Sequence, residues 1–191
     1  GLSLKAGRAF WTIGYLNEHH PHTDDFADRP LPYRAFLNKA YNDDGVELSY
    51  LLPIDFYTEI GGSILRGDDY PFGRSDGEGI GAWSTFVRLG SDIGNDQSWR
   101  VGGYILSGEA KGGRVTNENS VTFVGDTELY GLDIRYTWAP TGNAREKELT
   151  LQAESFWRKE DGAYTDTSVD TGAVGHDDIS VGWYTQSVYK F

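Results

Sequence analysis

Three of the four histidines, His19, His20 and His22, crowd into one short stretch beside Glu18, Asp24 and Asp25. In an extended segment His20 and His22 project to one side and His19 to the other. Imidazole and carboxylate are ligand types that Zn²⁺ or Cu²⁺ accepts, and the chain has no cysteine to compete for the ion. The expected metal ligands are therefore His20 and His22, completed by Glu18 or Asp24, for zinc or another divalent ion. A competing expectation starts from Pro21, which blocks a helix and favours a shaped loop. On that reading the stretch folds inward and packs, with its histidines hydrogen-bonded to Asp and Arg.

Other chemistry is thinly represented. No G-x-S-x-G, H-E-x-x-H, P-loop or EF-hand pattern occurs, so an enzyme is not expected. His176-Asp177-Asp178 reads as the solvated tip of an acidic loop. Asp68-Asp69 and Asp177-Asp178 offer oxygen ligands for Ca²⁺ bridging lipopolysaccharide, against the plainer reading of solvated loop charge. Arg66-Gly67-Asp68 reads as turn chemistry.

The elements that must carry these residues are strands. In Leu129–Ala139 the residues Tyr130, Leu132, Ile134, Tyr136 and Trp138 share one face, opposite Gly131, Asp133, Arg135 and Thr137. Period two of this kind has no helical solution, because 3.6 residues per turn would scatter it. Leu149, Leu151, Ala153, Ser155 and Trp157 repeat it against Thr150, Gln152, Glu154 and Arg158, with Phe156 as the exception. Similar alternation marks segments from Leu2, Val46, Phe56, Trp83, Trp99 and Val181, giving eight strands. Pro53-Ile54, Ser91–Gln97 and Pro140–Lys147 are short turns. Loops at 11–45, 67–79, 110–128 and 160–178 are long, polar and mostly acidic, and they alternate strictly with the short turns.

One domain of 191 residues is expected, with a net charge of −12, 25 glycines and an aromatic fraction of 14%. That acidity argues against a nucleic-acid partner, and the aromatic content argues against disorder. Short turns on one side and long loops on the other are the pattern of an outer-membrane barrel. Trp83, Trp99, Trp138, Trp157 and Trp183 sit where interfacial girdles belong. Tyr189-Lys190-Phe191 resembles the terminal aromatic signal of bacterial outer-membrane proteins. The fold expected is all-β: an antiparallel up-and-down transmembrane barrel, eight strands in this chain, alone or as part of a larger barrel.

The stretches Gly14–His22 and Asp25–Leu31, with Asn42–Val46, Leu65–Asp68 and Trp138–Asn143, resemble Gram-negative outer-membrane barrels of the porin-like type. Some of these are labelled zinc-regulated outer-membrane receptors. The resemblance implies an outer-membrane location, a chain longer than this one with further strands, and contact with outer-membrane lipids and lipopolysaccharide.

The charged residues expected to face the interior are Glu47, Glu59, Arg88, Arg100, Asp133, Arg135, Glu148, Glu154, Arg158 and Lys190. Inside an isolated eight-stranded barrel they form a salt-bridged core, since no wide pore remains. In a larger barrel they line a channel. Porin-like passive transport of small or cationic solutes is the leading expectation. A structural or adhesion barrel working through its loops, and a soluble lipocalin-like barrel with its apolar face inside, are the rivals.

Overall fold

The computed structural model describes residues 1–73, 79–115, 120–169 and 172–191. Eight strands form one antiparallel sheet in sequence order: β1 (Leu2–Phe10), β2 (Asn42–Leu51), β3 (Tyr57–Leu65), β4 (Ala82–Ile93), β5 (Gln97–Val115), β6 (Val121–Trp138), β7 (Glu148–Asp166) and β8 (Ala173–Lys190). Each pairing joins sequence neighbours, which is an up-and-down meander with β1 and β8 at the two margins. Among the described residues no helix is long and apolar enough to cross a membrane.

The two faces of the sheet differ as the period-two pattern requires. Leu132, Ile134, Trp83, Val87, Leu151, Val181 and Trp183 project from one face and are exposed. Glu47, Ser63, Ser84, Arg88, Asp133, Gln152 and Glu154 project from the other and are buried. An exposed apolar face over a buried polar one reverses the order of a soluble sheet.

The polar face is buried by the chain between β1 and β2. This strap, residues 11–41, contains 3-10 turns at Leu16–Glu18 and Pro21–Thr23 and one short helix, α1 (Leu31–Leu37). Pro30 precedes α1 with extended backbone, and Asn38 ends it in the left-handed conformation, φ 46°. Trp11, Ile13, Leu16, Tyr33, Phe36, Leu37 and Tyr41 are the strap's apolar side chains and form the main hydrophobic cluster with Leu65, Phe72, Leu106, Leu129 and Phe156. Phe156 breaks the alternation of β7 for this reason: its ring meets Tyr33 edge-on at 5.2 Å. Opposite α1, a Cβ on Gly182 would stand 3.0 Å from Phe36 and 3.2 Å from Pro32, so a bare backbone lets the helix lie down.

Two expected loops are strands instead. Within 110–128, β5 runs on to Val115 and β6 begins at Val121, with a register shift between Ala110 and Arg114. Within 160–178, β7 runs to Asp166 and β8 begins at Ala173. Polar side chains there do not stop pairing, because the ladder is made by the backbone. Residues 116–119 and 170–171 of these loops, and 74–78 of the loop at 67–79, lie outside the described residues. The first loop ends at Tyr41 rather than at residue 45, since Asn42 already pairs with Phe10.

Candidate functional site

The strap and the polar face of β2–β8 form one buried hydrogen-bonded layer. Its centre is Glu154, on β7. One carboxylate oxygen accepts from the Tyr15 backbone N–H at 2.9 Å and the Tyr33 hydroxyl at 2.7 Å. The other accepts from Gln152 Nε2 at 3.1 Å and from the Tyr184 hydroxyl. Gly14 permits this approach: its φ is 74°, and a Cβ there would meet both the Tyr33 hydroxyl and the Glu154 carboxylate. Burial, and then the neighbouring Glu154 charge, push the Tyr33 hydroxyl well above its ordinary value, which keeps it a donor.

A second anchor is Glu47, on β2. It accepts from the Thr12 N–H and hydroxyl at 3.2 and 3.0 Å and pairs with Lys5 at 3.2 Å. Asn17 ties the two ends of the strap together. Its amide donates to Trp11 O and Tyr41 O at 2.9 and 3.0 Å and accepts from Tyr41 N at 2.7 Å. Arg29 holds the middle, donating to Leu16 O, His19 O and Lys39 O and pairing with Asp24 at 2.9 Å.

The charges expected inside share the face that the strap covers, except that Lys190 lies exposed at its edge. Arg88 bridges Glu18 and, at 3.3 Å, Glu59. Arg100 lies 3.6 Å from Glu18 and 3.8 Å from Asp133, whose carboxylate also accepts from the Tyr104 hydroxyl. Arg158 pairs with Glu160 at 3.3 Å and donates to Tyr70. Glu148 accepts from Thr150, and Lys190 donates to Ala144 O. Arg135 donates to Gln152 Oε1 at 3.3 Å and stacks on Tyr15, with no carboxylate in ion-pair range among the described residues.

The expected metal ligands are not gathered. Glu18 is taken by Arg88 and Arg100, and Asp24 by Arg29, because buried guanidinium groups need carboxylates more than exposed imidazoles do. His20 and His22 stack on each other with ring centroids 5.4 Å apart, and His20 also meets Phe10 edge-on. Among the described residues no group of three or more His, Asp and Glu is arranged to hold an ion. The histidines themselves are exposed and make ring contacts, His19 against Tyr15 at 4.8 Å, in place of the side-chain hydrogen bonds to Asp and Arg that the rival expectation called for. Asn17, Arg29 and Tyr33 escape sequence reasoning because irregular chain has no period to mark them. Gln152 and Gln186 sit on the expected face but carry no charge to draw notice.

His19 gives this layer a pH dependence. Partial desolvation first, and then the Arg100 charge, hold its imidazole below the ordinary 6.5, with Asp24 opposing. The folded state therefore favours the neutral ring. Its contribution to stability is complete above pH 6.5 and is lost as pH falls through the lowered folded value. Trypsin cleavage at Arg34 and Lys39, taken relative to cleavage of an unfolded peptide substrate at the same pH, should rise on acidification through that window, and His19→Gln should flatten the response. A constant ratio across the window in the parent would remove His19 from this role.

What the fold and site define is an antiparallel meander with an apolar exposed face and a polar face sealed by an inserted segment. No protein-family model matches the chain, and no solved structure matches it. It is similar to an uncharacterized protein of Aquifex aeolicus (strain VF5), 28% identical over 208 residues, which cover all of this chain and 42% of that protein. The chain spans about two fifths of the length of the curated relative it matches.

Proposed function

We propose that these eight strands are part of a larger outer-membrane β-barrel that carries small solutes, cations preferentially, by passive diffusion. The single observation that carries this reading is the inversion of the sheet: apolar side chains exposed on one face, charged ones buried under the strap on the other. Lipid is the solvent that suits the first face, and an aqueous lumen partly filled by the strap suits the second. The lipocalin-like alternative would need the apolar face inside, which the exposure of Leu132, Ile134 and Trp183 disfavours.

Strands left unpaired at β1 and β8 would be costly in hydrocarbon, where water cannot satisfy the backbone. Further strands on both margins, in a longer chain like the curated relative, close the barrel in this proposal. The acidic excess of the chain raises the local concentration of cations at its mouth. Outer-membrane lipids and lipopolysaccharide are its surroundings, and no resident metal or cofactor is invoked.

The test is reconstitution of the full-length native protein in planar bilayers under a KCl gradient. Stable conductance is expected, with a reversal potential of the sign given by K⁺ moving more readily than Cl⁻. A folded, inserted protein that conducts nothing would remove transport and leave a structural or adhesive barrel.

A further inference from the structure

Where the strap leaves the wall of β6–β8 uncovered, a cavity of about 250 Å³ opens between them. Its size suits a small solute. Its lining divides by charge. From the wall come Arg135, Gln152 and Gln186, and from the strap His19, Asp24 and Asp25.

Both signs are left with capacity to spare. Arg135 makes one hydrogen bond, to Gln152 at 3.3 Å, and no carboxylate among the described residues pairs with it. A guanidinium in that state is a ready partner for a planar carboxylate, which it binds by two parallel N–H bonds. The Asp24 side chain is 6% exposed and spends one oxygen on Arg29, while the other is buried with no hydrogen-bond donor, so Asp24 adds negative charge beside the cavity without offering it an open oxygen. Asp25 is exposed beside it and holds no ion pair among the described residues. Gln186 donates its amide weakly to Gln152 at 3.5 Å, leaving its carbonyl oxygen able to accept.

From this arrangement we infer that the cavity is a binding subsite for a small zwitterion of the amino-acid class, its carboxylate on Arg135 and its ammonium on Asp25, with the buried Asp24 charge beside it. The inference deepens the transport reading and rests on it for the solute's route, but binding is measurable without conduction.

Equilibrium dialysis of the full-length protein in detergent against radiolabelled L-alanine, acetate and ethylammonium supplies the test. Alanine should bind at least about tenfold more tightly than either single-charge probe, since only alanine engages both partners. Arg135→Gln should weaken alanine by about tenfold and leave ethylammonium unchanged, while Asp25→Asn should weaken alanine and leave acetate unchanged. Asp25→Asn serves in place of an Asp24 variant because Asp24 also holds Arg29, and trypsin protection of the strap verifies that each variant stays folded. Equal binding of alanine and acetate, or alanine binding untouched by Arg135→Gln in a protected protein, would overturn the subsite. Conductance without alanine binding removes the subsite and keeps transport; alanine binding without conductance keeps the subsite and removes transport.

Discussion

Ile134→Arg should cost about 2–4 kcal/mol of folding free energy when the protein is folded in a bilayer. Ile134 is 52% exposed on the apolar face, between Val101 of β5 and Ala153 of β7, and Leu132 two residues before it is 53% exposed. If that face meets lipid, a guanidinium at this depth must drag water or headgroups toward the midplane or remain unsolvated. Val124, on the same face of β6, is the internal control. It lies beyond Asp126 and Glu128, two acidic residues on the outward face that no hydrocarbon layer would hold, so Val124→Arg should cost about 0–1 kcal/mol. Urea titrations of both variants in liposomes measure the contrast. In detergent, where the micelle adapts, the gap should narrow. Equal cost at the two positions in liposomes would mean that Ile134 does not face a bilayer core, and the membrane assignment would fall with it.

Glu154→Ala should release the strap while leaving the sheet in place. The carboxylate is 2% exposed and takes hydrogen bonds from Tyr15, Tyr33, Gln152 and Tyr184, two of them belonging to the strap and two to the wall. Removing it strands these donors, at about 1–3 kcal/mol for each one that water does not reach. Water reaches them most easily if the strap moves away. The strap-side expectation is tryptic cleavage at Arg34 and Lys39, and, on the barrel reading proposed above, a rise in conductance. Strand content should hold, since the ladder pairs β6, β7 and β8 without help from Glu154. Glu154→Gln keeps one acceptor oxygen and should fall between the parent and the alanine variant. Should Glu154→Ala resist trypsin as well as the parent, the strap does not depend on Glu154, and the Glu47 and Glu18 anchors and the apolar contacts of Trp11, Tyr33 and Phe36 hold it.

The sequence by itself determines the strands and their facing, because both are local. Leu132, Ile134, Asp133 and Arg135 alternate in a pleat whose period is fixed by covalent geometry, so the split between faces is legible before any contact is known. The short turns follow from Pro, Gly, Asn and Asp in the same local way. Three things were decided only by the tertiary structure. The reach of β5–β8 into expected loops depends on backbone pairing, which polar side chains such as Asp161 and Asp177 neither signal nor prevent. The metal site predicted from His20, His22, Glu18 and Asp24 rests on spacing alone. Arg88 and Arg29, distant in sequence or direction, claim both carboxylates because leaving a buried guanidinium unpaired costs more than leaving an exposed imidazole in water. The inward fold of residues 11–41 joins Tyr33 to Glu154 across 121 positions of the chain. No periodicity encodes a bond of that separation, because the buried polar face of β7 selects its partners only after the sheet exists to present it.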